Sequence, residues 1–211
     1  MKIQIFTFNP FAENTYIVYD ESRDCAIIDP GCYMPEEKEE LLDFIARQQL
    51  KPVLLLNTHC HLDHIFGNKL IADTFGLKPM YHQLETQLLE AAESYGKQWG
   101  IYAEPSPLAE QFLNEGDKVS VGGLTFDIIF APGHSPGSLC FYQPEYKVLF
   151  GGDVLFKQSI GRFDLPGGDE QTLLNSIREK LFVLPGDVRV LPGHGADTSI
   201  DFEKKHNPYL K

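Results

Sequence analysis

Four apolar runs in this chain end in the same way, and that repetition limits what the chain can fold into. Val53–Leu56 runs into Asn57-Thr58-His59-Cys60-His61-Leu62-Asp63-His64, and Leu124–Phe130 into Ala131-Pro132-Gly133-His134. Lys147–Phe150 runs into Gly151-Gly152-Asp153, and Val188–Leu191 into Pro192-Gly193-His194-Gly195. Each run has the length and apolar character of a buried strand, and each closes on a turn that delivers a His or an Asp. Ligands of α/β sheets collect beyond strand C-termini, so the four turns are expected to meet at one place.

The rest of the pattern is strands first, then mixed α/β. Ile3–Phe8, Thr15–Tyr19 and Cys25–Ile28 read as strands, the last closed by Asp29-Pro30-Gly31. An acidic start at Pro35-Glu36-Glu37 followed by Leu41, Leu42, Phe44 and Ile45 predicts a helix to about Gln49. Helices are expected over Leu70–Phe75, Gln83–Tyr95 and Gln171–Phe182, with a short strand at Pro79–Tyr81. Val119–Val121 and Leu124–Phe130 flank Gly122-Gly123, a hairpin signal, and Leu139–Tyr142 reads as a further strand. Residues 96–116 hold Gly, Pro and scattered aromatics, and read either as a lid or as an ordinary connecting segment.

Composition narrows the function classes. The 211 residues, 43% hydrophobic and 23% charged, suit one domain with a full core. Thirty acidic against eighteen basic residues give a formal charge of −12, which repels phosphate backbones, so no nucleic-acid partner is expected. No apolar stretch approaches the roughly 20 residues that cross a bilayer. The start MKIQIFTFNP lacks the apolar length and cleavage site of a signal peptide. Cys25, Cys32, Cys60 and Cys140 show no C-x-x-C spacing, so the expectation is reduced thiols and a cytoplasmic protein with no membrane partner.

His59-x-His61-x-Asp63-His64 is the sharpest chemical signal. In an extended backbone alternate side chains share a face, so His59, His61 and Asp63 point together, and His64 needs the chain to turn, into a helix. Imidazole and carboxylate suit zinc and its first-row neighbours. His134, Asp153 and His194 are weak signals singly; a Pro-Gly-His turn is commonly just a turn, and an Asp after Gly-Gly can simply cap a helix. Together the segments supply five His and two Asp, enough for two metal ions with open positions. Closed structural sites are Cys-rich and four-coordinate, which sets a non-catalytic metal-binding module against an enzyme and favours the enzyme. Cys60 reads as a buried inert thiol, and His82 and His206 as structural.

With Pro132-Gly133-His134, Gly152-Asp153 and Gly193-His194-Gly195, the Thr58-His59-x-His61-x-Asp63-His64 segment resembles the metallo-β-lactamase superfamily, and within it the glyoxalase II-like hydrolases. Gly152-Asp153-Val154-x-Phe156-Lys157, Gly161-Arg162-x-Asp164 and His206-Asn207-Pro208 make it most similar to the short, single-domain, hydroxyacylglutathione hydrolase-like subgroup. The resemblance implies one domain over residues 1–211, a four-layer αβ/βα sandwich of two mixed β-sheets flanked by helices. It implies His59, His61 and His134 on one ion, Asp63, His64 and His194 on the other, and Asp153 bridging. Glyoxalase II proper continues into a helical glutathione-binding domain, whereas sixteen residues follow Gly195 here. Its substrate loop has a basic residue and, two positions on, a Tyr; this chain has Arg162 and then Asp164, which leaves the thiol carrier open.

The expected cofactors are two divalent ions, zinc first, with iron or manganese as alternatives. Against Asp63, Asp153 and a hydroxide shared between the ions, such a core carries about +1, a locally positive point in an acidic protein. The expected reaction is attack of that hydroxide on a thioester or ester carbonyl of a small acyl-thioester, possibly glutathione-derived, with Asp63 orienting the nucleophile and taking its proton. Arg162 either pairs with a substrate carboxylate or forms an ion pair with a nearby Asp. Asp29 is placed to hold a ligand His from behind or to be an ordinary turn residue. The alternative on the same fold is a persulfide dioxygenase with one iron, whose motifs share the histidines and the Gly-Arg-x-Asp stretch. Diiron oxygen reductases fit less well, because they carry a carboxylate where His61 stands.

Overall fold

The computed structural model describes residues 1–211, and the N-terminal half of the chain builds one sheet. Strands β1 (Lys2–Phe8), β2 (Glu13–Tyr19) and β3 (Asp24–Ile28) pair antiparallel, and β4 (Lys51–Leu56) and β5 (Pro79–Met80) continue the sheet in parallel. Parallel steps need long crossovers. Helix α1 (Pro35–Arg47) supplies the first, and α2 (Leu62–Ile65) with α3 (Asn68–Phe75) the second. A short 3-10 turn and α4 (Thr86–Gln98) then lead out of the sheet.

The C-terminal half builds the second sheet. Strands β6 (Lys118–Val121) and β7 (Leu124–Phe130) form the expected hairpin, with Gly122 in the left-handed region at φ +56°. They are followed by β8 (Leu139–Gln143), β9 (Val148–Gly152), a separate small hairpin of β10 (Leu155–Phe156) and β11 (Ser159–Ile160), then α5 (Glu170–Ser176), β12 (Arg189–Pro192), β13 (Thr198–Ser199) and α6 (Ile200–His206). The strand order is β13-β12-β9-β8-β7-β6. β7 and β9 are each antiparallel to β8, and β12 is parallel to β9, so β7, β9 and β12 all run the same way.

Period-two alternation sorts the side chains into three apolar layers. Tyr16, Val18, Ala26 and Ile28 face Phe126, Phe141 and Phe150 between the two sheets. Ile17, Ile27 and Leu55 face the other way, onto Leu41 and Ile45 of α1 and Ile71 of α3. On the far side, Cys140, Leu149 and Val190 pack against Leu173 of α5, Ile177, Leu181 and Ile200. Strands covered on both faces read as near-continuous apolar runs, as β2 and β8 do. The result is helix, sheet, sheet, helix: the αβ/βα sandwich of two mixed sheets that the sequence led us to expect.

The differences are local. The expected helix over Gln171–Phe182 is α-helical only to Ser176 and continues as a π turn over Ile177–Leu181. The tail, where no helix is predicted, forms α6, capped by the Ser199 hydroxyl, which accepts from Phe202 N at 3.3 Å. Residues 99–117 contain no helix or strand but are held down. Ala103 and Leu113 are buried, Ser106 accepts from Asn68 Nδ2 at 2.9 Å, and Ala109 N donates to the Tyr81 hydroxyl at 3.2 Å. Of the two readings of this stretch, the packed connecting segment is the one these contacts describe.

Candidate metal centre

Because β7, β9 and β12 run in one direction, their C-terminal turns lie along one edge of the second sheet. β4 brings its own turn to that edge from the first sheet. The join is made by backbone bonds: Leu139 N donates to Thr58 O at 2.8 Å, and Gly193 N to Gly152 O at 2.8 Å. All seven predicted donors meet there. His59, His61 and His134 form one group, and Asp63, His64 and His194 another, the donor atoms within each lying within 4.8 Å of one another.

In the first group, His134 Nε2 lies 2.9 Å from His61 Nδ1 and 3.2 Å from His59 Nε2. Imidazole nitrogens bound at about 2.0–2.1 Å to a tetrahedral ion stand about 3.3 Å apart, so the spacing fits one ion. In the second group, Asp63 Oδ2 is 3.1 Å from His194 Nε2 and 3.7 Å from His64 Nε2. Asp153 stands between the two. Its Oδ2 is 3.5 Å from both His134 Nε2 and His194 Nε2, and its Oδ1 is 3.5 Å from His64 Nε2. His61 Nε2, His64 Nε2 and Asp153 Oδ1 are buried with no hydrogen-bond partner. Orphaned buried polar atoms are costly and rare; His64 Nε2 and Asp153 Oδ1, 3.5 Å apart and both without a partner, are what a cation-binding cradle leaves behind, whereas His61 turns its Nδ1 to its group.

The histidines are oriented from behind. His134 Nδ1 donates to Arg162 O at 2.7 Å and His194 Nδ1 to Phe11 O at 3.0 Å. A carbonyl only accepts, so each ring carries a proton on Nδ1 and turns Nε2 inward. His64 Nδ1 faces Asp29 Oδ2 at 3.1 Å. The same carboxylate accepts from Thr58 N at 2.7 Å and Thr58 Oγ1 at 2.6 Å, which leaves Thr58 Oγ1 free to accept from His59 Nδ1 at 3.1 Å. Asp29, in the left-handed region at φ +48°, therefore braces one histidine of each group. Two glycines make the close approach possible. A Cβ at Gly193 would strike Asp153 and His64, and one at Gly161 would strike the Asp153 carbonyl.

Electrostatics separates the groups. Burial first, then neighbouring imidazoles, pushes His59 well below its usual range and brings His61 down to about 3. Burial also takes His134 down to about 4, against the opposing pull of its bond to the Arg162 carbonyl. These three rings are neutral donors at physiological pH. In the second group burial opposes charge but the carboxylates win. Asp63 and Asp153 hold His64 well above its usual range, and Asp63 raises His194. Burial works against Asp63 as well, yet His64 and the bond from His194 carry its carboxyl down. An ion entering the second group displaces protons; one entering the first does not.

Arg162 is engaged. Its Nε and Nη2 donate to the two Asp164 oxygens at 2.8 and 2.9 Å, on an exposed part of the loop. Two further residues of the site were not read from the sequence. Glu85 is fully buried, and its two carboxylate oxygens accept from Cys60 N at 2.7 Å and Gly137 N at 2.6 Å, tying the His59–His61 loop to the loop after His134. Glu13 is fully buried beneath His64, with Oε1 3.9 Å from His64 Nδ1, and its backbone bridges to His194. A lone Glu in a helix-like stretch carries no mark of such a role.

Comparison with known proteins agrees with this geometry. The sequence model of the metallo-beta-lactamase superfamily matches residues 8–194. Hydroxyacylglutathione hydrolase GloC of Haemophilus influenzae is 37% identical over 212 residues, covering 100% of this chain and 98% of that protein. The crystal structure of the BLEG-1 B3 metallo-beta-lactamase superposes with a TM-score of 0.91 at 37% identity, covering 100% of both chains. That of TTHA1623 in a di-iron-bound form gives a TM-score of 0.89 at 37% identity, covering 98% of this chain and 100% of its own. A fold match of that depth, a family model spanning nearly the whole chain and seven convergent donors agree: the chain belongs to the metallo-beta-lactamase superfamily.

Proposed function

We propose that this chain is a single-domain, dinuclear metal-dependent hydrolase of thioesters. The observation that carries the reading is the position of Asp153, 3.5 Å from histidines of both groups, with the second group complete beside it. His59, His61 and His134 would hold one ion and Asp63, His64 and His194 the other, with Asp153 shared. Nitrogen and carboxylate donors suit zinc, iron or manganese, and one relative of this chain holds two irons. Such ions supply a nucleophile at neutral pH, by lowering the pKa of water from 15.7 to about 7, and polarise a carbonyl.

The residues supply the rest. Asp63 is held ionised and its side chain is 17% exposed, so it can orient a nucleophile by accepting a hydrogen bond at Oδ2. His194, 26% exposed, marks the side open to solvent, whereas His59, His64 and His134 are walled in. The arginine of the adjoining loop, Arg162, is paired with Asp164 and is not free to clamp a leaving group. A thiolate, of thiol pKa about 8.5, departs without an acid; an amine does not. That favours thioesters over amides. The second group, Asp63, His64 and His194, complete beside Asp153, leans toward a two-ion hydrolase over a one-iron dioxygenase. A relative that bears the name hydroxyacylglutathione hydrolase supports a thiol-borne acyl substrate. Hydrolysis of a thioester panel including lactoylglutathione, measured beside oxygen uptake on glutathione persulfide, tests it. Chelator-sensitive hydrolysis is expected; rapid oxygen consumption with one iron per chain would overturn it.

A further inference from the structure

An apolar cavity opens beside the metal centre and shares one residue with it. His61 forms part of its wall, and Leu62, Leu88, Ala91, Tyr95, Leu165 and Pro166 form most of the remainder. α4 supplies Leu88, Ala91 and Tyr95 from one side, and the loop that carries Arg162 and Asp164 supplies Leu165 and Pro166 from the other. The space is about 40 Å³, room for about two to four carbon atoms. His61 belongs to both the cavity wall and the three-histidine group, so an acyl chain lying in the cavity can bring its carbonyl end to that group.

We propose that this cavity is the subsite for the acyl chain of the substrate, and that it selects short, apolar acyl groups. The inference rests on the thioesterase reading above. Three observations choose the occupant. The lining is mostly hydrophobic, so filling it with methylenes gains transfer energy and a carboxylate there loses solvation. The volume is too small for a peptide or nucleotide thiol, so the carrier must leave by the wider side, where His194 is 26% exposed and Phe11 and Phe156 flank it. Arg162, on the loop that supplies Leu165 and Pro166, is occupied by Asp164, which removes a charge that would have favoured an acidic acyl group.

The test uses the zinc-reconstituted enzyme and straight-chain acyl thioesters of N-acetylcysteamine, an uncharged thiol, from acetyl to octanoyl. Expected is a rise in kcat/KM of about fourfold per methylene up to about four carbons, then a fall. Ala91 is exposed on α4 and touches no metal donor, so Ala91→Leu fits the helix and shortens the cavity; it should move the optimum to shorter chains. Leu88→Ala should move it to longer ones. The matching thioether ketones, in which a methylene separates carbonyl from sulfur, are not hydrolysed, and their dissociation constants, read by calorimetry, should follow the same order. A flat chain-length profile, a profile that Ala91→Leu leaves unchanged, or a shift seen only when the thiol is lengthened would overturn the assignment while leaving thioester hydrolysis intact. Failure to cleave any thioester, with ketone binding still ordered by chain length and altered by Ala91→Leu, would sink the thioesterase reading and uphold the subsite.

Discussion

Glu85→Gln probes whether the metal centre is organised from a distance. In the native protein one buried carboxylate accepts from Cys60 N at 2.7 Å and Gly137 N at 2.6 Å, and so spans both loops that carry the three-histidine group. Glutamine keeps one acceptor oxygen and turns an NH2 toward the other N–H. One charge-assisted bond is lost, and a buried donor is left unpaired, at a cost of about 2–4 kcal/mol. An opposing effect reduces this, because burial raises the Glu85 pKa and a neutral amide is cheaper to bury than a carboxylate. The bond loss wins, since two directed donors are aimed at the group. A net loss of about 2 kcal/mol lowers Tm by about 4–8 °C in a chain of this size. The loosened loops should weaken binding of the first ion about 10–100-fold, as outer partners of metal ligands do. Denaturant melts of the metal-free protein and competition with a chromogenic chelator read the two effects separately. A variant within about 0.5 kcal/mol of the parent, with unchanged metal affinity, refutes the reasoning.

Asp153→Ala should bind one ion in place of two, seen by elemental analysis, and lose at least about 100-fold in kcat. Asp29→Asn keeps an acceptor for Thr58 N but sets an amide NH2 against His64 Nδ1. Its second ion should bind about 10–100-fold more weakly, and the first ion should be less strongly affected because Asp29 reaches His59 only through Thr58, as a two-phase metal titration would report. The pH dependence follows from the opposed shifts. Burial lowers His61 to about 3 and His134 to about 4, so their group stays deprotonated and metal-competent down to about pH 5. His64 and His194 are raised by Asp63 and Asp153, so protons compete with the second ion and its affinity falls as pH drops through those raised values. Dialysis at pH 5 should leave one ion per chain and dialysis at pH 8 two; loss of both together contradicts the assignment.

The donors were legible because strand physics exposes them. In the turn after β4 alternate residues share a face, so the convergence of His59 and His61 could be read from their spacing; Asp63 departs from that alternation, because it already lies in α2 and joins the second group with His64. The turns after β7, β9 and β12 could be seen to resemble one another, but that they point the same way follows from β8 running antiparallel between β7 and β9, a tertiary fact. Glu85 was not legible: its role depends on two backbone N–H groups 25 and 52 residues away in sequence. Glu13 was missed for the same reason, since its contact with His64 crosses from the first hairpin to the turn after β4. The two-residue strands β10, β11 and β13 are too short to show a period, and the π turn after α5 shares the apolar spacing of the helix it extends. For Arg162, both roles were open in the sequence; the bidentate contact with Asp164 is the pairing the structure contains.

The most direct measurement is the metal content of the purified, reconstituted chain, taken together with the hydrolysis of a chromogenic thioester before and after chelation. Two ions per chain, with activity that vanishes on chelation and returns as the second ion is restored, is the predicted result. Full hydrolysis by metal-free protein, or saturation at one ion with no effect of Asp63→Asn on kcat, would contradict it.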